Sequence, residues 1–165
     1  MEPQEAQKSQ NFREMKNIEM NMRRADLSDL AVVAQLFDEY RVFYRKESDL
    51  LAATAFIRER IEKGESVIYL VEVEGNAAGF VQLYPSFSSV SMTRIWVLND
   101  LYVNSVYRSL GVGRALMDRA ELHCREAGAA RLDLGTERSN TLAQGLYKSC
   151  GYEREDGFYF YSKTV

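Results

Sequence analysis

The sequence predicts an α/β protein: one domain with a mixed sheet and about four flanking helices. Two observations lead to this prediction. The apolar residues change between helical and strand spacing several times along the chain, and no internal repeat or linker interrupts them. The 165 residues suffice for one domain with a buried core. Residues 1–19 show no such spacing and are expected to be a flexible N-terminal tail or an extra helix, which places the domain at 20–165.

The first half of the chain is predicted to form a strand, two helices and the start of a hairpin. The strand covers 20–24, and Asp26 then begins the first helix as an N-cap. Its buried stripe recurs at helical spacing: Leu30, Val33, Phe37, Tyr40 and Tyr44. The second helix follows Asp49, ends at Gly64 and is expected to bury Leu51, Phe56, Ile57 and Ile61. A β-branched strand from Ser66 then reaches a hairpin turn at Glu74-Gly75-Asn76.

The second half is predicted to complete the sheet and add two helices. Residues 77–84 return as the hairpin partner, Pro85 and the serines after it form a loop, and 94–103 form a long strand. A helix over 111–127, a short strand over 131–134 and a helix over 140–150 follow. The aromatic run 158–161 is expected to close the chain as a last strand. Hairpin connections make the N-terminal part of the sheet largely antiparallel.

Composition and charge argue against several classes of protein. The net charge of −3 and the lack of a basic face disfavour a nucleic-acid binder. No apolar run approaches the ~18 residues of a membrane helix. The polar N-terminus lacks the core of a secretory signal, so we expect a cytoplasmic protein without a membrane partner. Cys124, Cys150 and His123 do not complete a metal-ligand pattern, and no metal is predicted.

Two glycines, Gly111 and Gly113, begin the helix that follows the long strand. A helix N-terminus leaves about four N–H groups unpaired and carries about half a positive charge. Without a Cβ, the glycines let the oxygens of an anion approach this backbone, and Arg108 and Arg114 can supply charge at its rim. Taken alone, the pattern also fits a glycine turn that serves only helix packing.

Two better-known phosphate motifs do not fit this stretch. A P-loop requires Lys and then Ser or Thr after its last glycine, and Arg114-Ala115 stand there instead. A dinucleotide fingerprint requires a third small residue, and Leu116 occupies its place. No phosphate-loop lysine or paired metal carboxylate points to nucleotide-dependent transfer.

Two motifs at this spacing resemble the GNAT superfamily of acetyl-CoA-dependent N-acetyltransferases. The first is Arg108-Ser-Leu-Gly111-Val-Gly113, between the fourth strand and the third helix, and the second is Tyr147 followed by Gly151-Tyr152. Residues 132–136 and Asn140 match the family's fifth strand and the loop after it, and the resemblance covers about 20 to 163. Within the superfamily, residues 36–44, 82–87 and 98–103 look most like the histone- and polyamine-acetylating branch.

The resemblance implies a binding site for acetyl-CoA as co-substrate. The fourth and fifth strands of the family splay apart, and the pantetheine pairs with the exposed backbone of Leu101, Tyr102 and Val103. The pyrophosphate would be held by the residues between strand and helix: Arg108, Ser109, Leu110, Gly111, Val112, Gly113 and Arg114. Asn140 and Ala143 would contact the pantetheine or the adenine side. Family members often form homodimers, so a homodimer is expected.

The resemblance also implies roles in catalysis. Tyr147 matches the family's usual general acid, and a phenol with an ordinary pKa near 10 can protonate a departing thiolate. Asp100, just before the cofactor-binding segment, is the candidate base, with a structural carboxylate between the split strands as the alternative. Asp38, Glu39 and Glu47, near the two N-terminal helices, could bind a cationic acceptor. The acceptor would be a primary amine that the sequence does not identify, and a non-catalytic CoA sensor or scaffold of the same fold is the competing hypothesis.

Overall fold

The structure, a computed structural model, describes residues 18–165. The predicted tail lies outside the described residues, apart from Ile18 and Glu19. Glu19 extends the pairing of the first strand, because its carbonyl oxygen accepts the backbone N–H of Glu74 at 3.0 Å. The chain divides into two compact units, the first ending at Gly135 and the second spanning Thr136–Val165.

The first unit contains a five-stranded mixed sheet. Its strands lie side by side in chain order: β1 Met20–Arg24, β2 Val67–Val73, β3 Asn76–Ser88, β4 Thr93–Val103 and β5 Leu132–Leu134. The strands β1 to β4 pair antiparallel with one another, and β5 runs parallel to β4. The predicted hairpin turn between β2 and β3 is confirmed, with positive φ at both Glu74 and Gly75.

Four α-helices lie within residues 18–165, as the fold class predicts. The first unit holds α1 Leu30–Phe43, α2 Leu50–Glu62 and α3 Val112–Glu126, and the second holds α4 Thr141–Ser149. None of these helices combines the length and the hydropathy that crossing a bilayer requires.

Helices cover both faces of the sheet in the first unit. Ile68 and Leu70 of β2 belong to one core cluster with side chains of α1 and α2. Tyr69, between them, places its hydroxyl 3.0 Å from Nδ1 of His123 on α3. Because successive strand side chains point to opposite faces, α1 and α2 lie on one face and α3 on the other. The two faces are called here the α1/α2 face and the α3 face.

The predicted start of the first helix is confirmed. Asp26 accepts the backbone N–H of Ser28 at 2.7 Å, and Asp29 accepts the N–H of Asp26 at 3.1 Å. This reciprocal capping box begins a short 3₁₀ turn, Leu27–Asp29, that leads directly into α1.

The expected burial of α2 is partly wrong. Ala53 and Ile57 are its buried residues, whereas Leu51 is 84% exposed and Phe56 is 38% exposed. At 100° per residue, Leu51 lies about 200° around the helix from Ala53, on the solvent side. Phe56 instead stacks its ring on Phe37, with the centroids 5.4 Å apart.

Two further expectations about strands are wrong. Pro85 and Ser86 lie within β3, paired with Trp96 and Ile95, rather than in a loop. The pairing of β3 with β2 ends at Leu83. Pro85 has no backbone N–H to donate, and at its position β2 no longer offers an acceptor. Residues 158–161 form no strand, and their side chains are between 73% and 91% exposed. Aromatic propensity alone does not make a strand without a hydrogen-bonded neighbour.

Candidate active site

A β-bulge in β4 organises the candidate site. In the register of β3 with β4, Leu83 pairs with Leu98 and Gln82 pairs with Asp100, which leaves Asn99 as an extra residue. A bulge of this kind reverses which face the following side chains occupy. Leu98 therefore lies on the α3 face with Leu83, and Asp100 lies on the α1/α2 face with Gln82.

The pairing of β4 with β5 ends at the same place. Its last pair is Leu98 with Leu134, and within residues 18–165 no strand continues beside 99–103 on that side. The backbone of this segment, which includes the predicted Leu101, Tyr102 and Val103, pairs with β3 alone. Since backbone groups of a strand point alternately to its two sides, part of the ladder of β4 is directed at the gap that β5 leaves. This is the splayed geometry that the resemblance implies.

The predicted pyrophosphate loop has an unusual backbone. Ser109 has φ 62° and Gly111 has φ 85°, whereas Leu110 and Val112 are not among the residues with positive φ. Alternation of left- and right-handed residues turns successive N–H groups toward a common point and forms an anion-binding concavity. A Cβ at Gly111 would meet no atom within 4 Å, so this position requires glycine for its φ rather than for space.

The loop leads directly into the N-terminus of α3. Gly111 is the N-cap and makes no side-chain cap, and α3 follows for 15 residues. The Nε of Arg108 donates to the carbonyl oxygen of Val103 at 3.1 Å, which ties the loop to the end of β4. The Arg108 guanidinium also lies 6.0 Å from the ring of Phe43 on α1. The predicted residues 108–114 thus form the loop before α3 and the start of the helix itself. A helix N-terminus is a place that favours an anion.

Asp100, the predicted base, is buried on the α1/α2 face with only 4% exposure. Its Oδ1 accepts from Nδ2 of Asn99 at 3.1 Å. The hydroxyl of Tyr40 donates to the backbone oxygen of Asn99 at 3.5 Å, which places it beside the carboxylate. Burial raises the pKa of Asp100, and Asn99 and Tyr40 oppose that rise. A carboxylate with a raised pKa is a stronger base than an ordinary one.

Sequence reasoning missed a polar group beside Asp100. The Nε2 of Gln82 donates to Oγ of Ser66 at 2.8 Å and to the hydroxyl of Tyr84 at 2.9 Å. Burial, with Asp100 nearby, raises the pKa of Tyr84 to about 12. A single glutamine inside the apolar stretch 78–83 is the signal that could have indicated this group.

The three carboxylates proposed for a cationic acceptor have different surroundings. Asp38 is buried and accepts from Arg41, from Ser48 and from the N–H of Asp49, so it fastens the connection between α1 and α2. Glu39 is half-buried and accepts from Nδ2 of Asn104 at 2.9 Å. Glu47 is exposed. The hydrogen bonds of Asp38 favour a structural role over contact with an acceptor.

In the second unit, Asn140 and Ala143 contact each other. The Oδ1 of Asn140 accepts the N–H of Ala143 at 3.1 Å and caps α4. Tyr147, the predicted general acid, is half-buried in the last turns of α4. Its ring centroid lies 6.2 Å from that of Tyr152.

His123 is held within the first unit, away from the anion-binding turn. Its ring lies edge-on to Trp96, with centroids 4.4 Å apart, and burial lowers its pKa. Among residues 18–165, no group of three or more His, Cys, Asp or Glu side chains is placed to hold a metal ion.

Known proteins are similar to this chain in sequence and in fold. The model of the acetyltransferase (GNAT) family matches residues 32–152. YhfO of Bacillus subtilis, an uncharacterised N-acetyltransferase, is 48% identical over 146 residues that cover 88% of this chain and 98% of that protein. The D-amino-acid N-acetyltransferase HPA3 of Saccharomyces cerevisiae is 27% identical over 129 residues, 76% of this chain and 80% of HPA3.

Solved structures of acetyltransferases are also similar to this chain. The crystal structure of a probable acetyltransferase is similar with a TM-score of 0.83 at 37% identity, covering 88% of this chain and 97% of the other. The aminoglycoside N-acetyltransferase AAC(6')-Iy, solved in complex with CoA, has a TM-score of 0.76 at 18% identity, covering 90% and 97%. The second likeness concerns the fold alone.

Proposed function

The chain belongs to the acetyltransferase (GNAT) family and is an acetyltransferase, and from this premise we propose that it moves the acetyl group of acetyl-CoA to a primary amine. The amine attacks directly in a ternary complex. The acceptor is a small polyamine or amino compound, or a lysine of a peptide or protein.

The observation that carries the proposal is the alternating backbone from Ser109 to Val112 at the N-terminus of α3. The diphosphate of CoA is an anion of the size that such a turn accepts. The open space at Gly111 leaves room for oxygens close to the backbone, and Arg108 adds a positive charge at the same turn. The residues present therefore fit the co-substrate.

The free side of β4 supports the rest of the binding site. Pantetheine carries two amides, and Leu101, Tyr102 and Val103 would pair with them along the gap beyond the bulge. When bound, acetyl-CoA supplies the acetyl group as a thioester. The backbone of β4 would align that thioester at the level of Asp100.

Asp100 would help to form the nucleophile. An alkyl amine with pKa near 10.4 is protonated at pH 7, so freeing its lone pair costs about 4.6 kcal/mol. Asp100, directly or through water, would accept this proton, and burial strengthens it as a base. Its place at the bulge, beside the gap in the sheet, supports this role.

Tyr147 would complete the transfer as general acid. A C–N bond forms, the C–S bond breaks, and the departing sulfur takes the proton of the phenol. The acceptor nitrogen gives up two protons in all. Asp100 accepts one of them and passes it to solvent. The other makes up for the proton that Tyr147 gives to the sulfur, so the phenol is reprotonated and CoA leaves as the thiol.

The finer identity of the acceptor is also a proposal. The buried Asp100 and the half-buried Glu39 give this side of the sheet a negative character that favours a cationic amine. We place the chain in the histone- and polyamine-acetylating branch on the segments 36–44, 82–87 and 98–103. HPA3, named for D-amino acids, is a relative with a different kind of acceptor.

A cytoplasmic location and a homodimer remain predictions. Light scattering after size-exclusion chromatography tests the homodimer.

The experiment is release of free thiol from acetyl-CoA by the purified chain. Spermidine, L-lysine, a D-amino acid, an aminoglycoside and a lysine-containing peptide serve as acceptors, and mass spectrometry identifies the N-acetylated product. We expect release above the acceptor-free background with at least one cationic amine. Tight CoA binding without release for any acceptor would favour the alternative, a non-catalytic CoA sensor or scaffold.

A further inference from the structure

Gln82 and Asp100 form a buried pair across two strands. They are direct partners in the register of β3 with β4, and both side chains lie on the α1/α2 face. Gln82 has 0% exposure and Asp100 has 4%. Side chains of directly opposed residues in an antiparallel pair have Cβ atoms about 5 Å apart. The amide and the carboxyl group are therefore neighbours in a region closed to water.

The amide of Gln82 directs its nitrogen at two hydroxyl groups and leaves its oxygen without a donor. Its Nε2 donates to both Ser66 and Tyr84, while the buried Oε1 has no hydrogen-bond partner among the described residues. A buried carbonyl oxygen without a donor destabilises the folded state. A donor supplied by a neighbour would remove this destabilisation.

Among residues 18–165, no cation lies against Asp100 to hold it ionised. The groups near it are the hydroxyl of Tyr40 from α1, the amide of Asn99 from β4 and the phenol of Tyr84 from β3. The charges of Arg60 on α2 and of Glu65 act on Tyr84. They pair with each other, with Nε of Arg60 2.7 Å from Oε2 of Glu65.

We propose that Gln82 is a positioning residue for Asp100, whose protonated carboxyl group donates its O–H to the side-chain oxygen of Gln82. The two forms of Asp100 then have different partners. The protonated form donates to Gln82, and the ionised form accepts from Asn99 and Tyr40. Protonation of Asp100 thus gives Oε1 of Gln82 a hydrogen-bond donor and removes the negative charge from the buried carboxyl group.

This pairing has a consequence for catalysis that rests on the proposed function. Gln82 stabilises the protonated form and Tyr40 the ionised form, so they move the proton affinity of Asp100 in opposite directions. Asp100 then acts as a base only above the pH at which its carboxyl group loses the proton that it donates to Gln82. The pH below which kcat/KM falls would therefore depend on the balance between Gln82 and Tyr40.

The experiment titrates the carboxyl carbon of Asp100 by NMR in the full chain without acetyl-CoA or acceptor. Asp100→Asn identifies the signal. We expect Gln82→Met to lower the midpoint and Tyr40→Phe to raise it, each by about one unit, a tenfold change in proton affinity. Tyr69→Phe removes a tyrosine hydroxyl on the α3 face and should leave the midpoint in place.

A second measurement uses the unaltered protein, so it does not depend on folding of a variant. The side-chain carbonyl carbon of Gln82 should titrate with the same midpoint as Asp100. An invariant Gln82 signal, or a midpoint that stays or rises in Gln82→Met, would overturn the proposal. A rise would mean that the amide donates to the ionised carboxylate instead. Because no turnover is required, failure of the thiol-release assay would affect the proposed function and not this result.

Discussion

Tyr152 donates its backbone N–H to the carbonyl oxygen of Tyr147 at 3.0 Å. Gly151, between them in sequence, has φ 88° and donates its N–H to the carbonyl oxygen of Lys148 at 3.0 Å. Together these bonds form a Schellman motif, with the two tyrosine rings in contact across it. The tyrosine proposed as general acid is therefore held in place by the end of its own helix.

Replacing Gly151 with alanine should reduce both stability and turnover. A residue with a Cβ costs about 1 kcal/mol in the left-handed region, and strain there would reach Tyr147 through the Schellman bonds. Gly128→Ala is a matched control, since Gly128 has φ 64° after the C-terminus of α3. Thermal unfolding should show a similar loss for both variants, whereas kcat should fall only for Gly151→Ala. Equal kcat in the two variants would contradict the link to Tyr147.

Tyr147→Phe should lower kcat by about tenfold or more, because general acid catalysis contributes factors of this order. The KM for acetyl-CoA should change little, since the ring remains. Steady-state kinetics from pH 6 to 9 measures the effect, with Tyr159→Phe as control because that side chain is 90% exposed. Wild-type turnover across this range would remove Tyr147 from the role.

Gly111→Ala should weaken binding of CoA by about tenfold. Alanine costs about 1–2 kcal/mol at φ 85°, and relief of that strain would turn N–H groups away from the diphosphate. Gly64→Ala places the same change at φ 61° after α2, where a Cβ also meets no atom within 4 Å. Calorimetric titration with CoA compares the two. An unchanged Kd in Gly111→Ala would argue against the diphosphate site.

Asp100→Asn should stabilise the protein as it removes activity. Burial raises the pKa of Asp100, so the folded state binds the proton more tightly than the unfolded state. The free energy of unfolding then falls as pH rises through the interval between the two pKa values. The Tm of the variant should match that of the wild type in acid and exceed it above that interval, while kcat/KM falls by about tenfold or more. A Tm difference that is independent of pH would contradict the raised pKa.

Most of the sheet and the helix ends could be predicted because the signals are local. Asp26 caps the 3₁₀ turn that leads into α1, and the glycine of Glu74-Gly75 turns the hairpin wherever the rest of the chain lies. Gly111 likewise favours a positive φ at its own position, whatever surrounds it. By contrast, Ser109 adopts positive φ although serine rarely does, and only the connection between β4 and α3 imposes it.

The rest depends on neighbours that a sequence does not show. The bulge at Asn99 exists only in the register of β4 against β3, so the sequence could suggest Asp100 but not the face on which it lies. Leu51 is apolar, and its exposure follows from which side of α2 contacts the sheet. Residues 158–161 have strand propensity, but they pair with no strand of the described residues 18–165.

The bulge, and not the mere presence of Asn99, decides which face of the sheet carries the acid. Deleting that one codon would leave Leu98 opposite Leu83 and the acid opposite Gln82, so the acid would keep its place on the α1/α2 face. Straightening the strand with Asn99 retained would instead pair Asn99 with Gln82 and turn the acid to the opposite face. A descendant of this protein could therefore lose the bulge with a single deleted residue and still keep its buried acid.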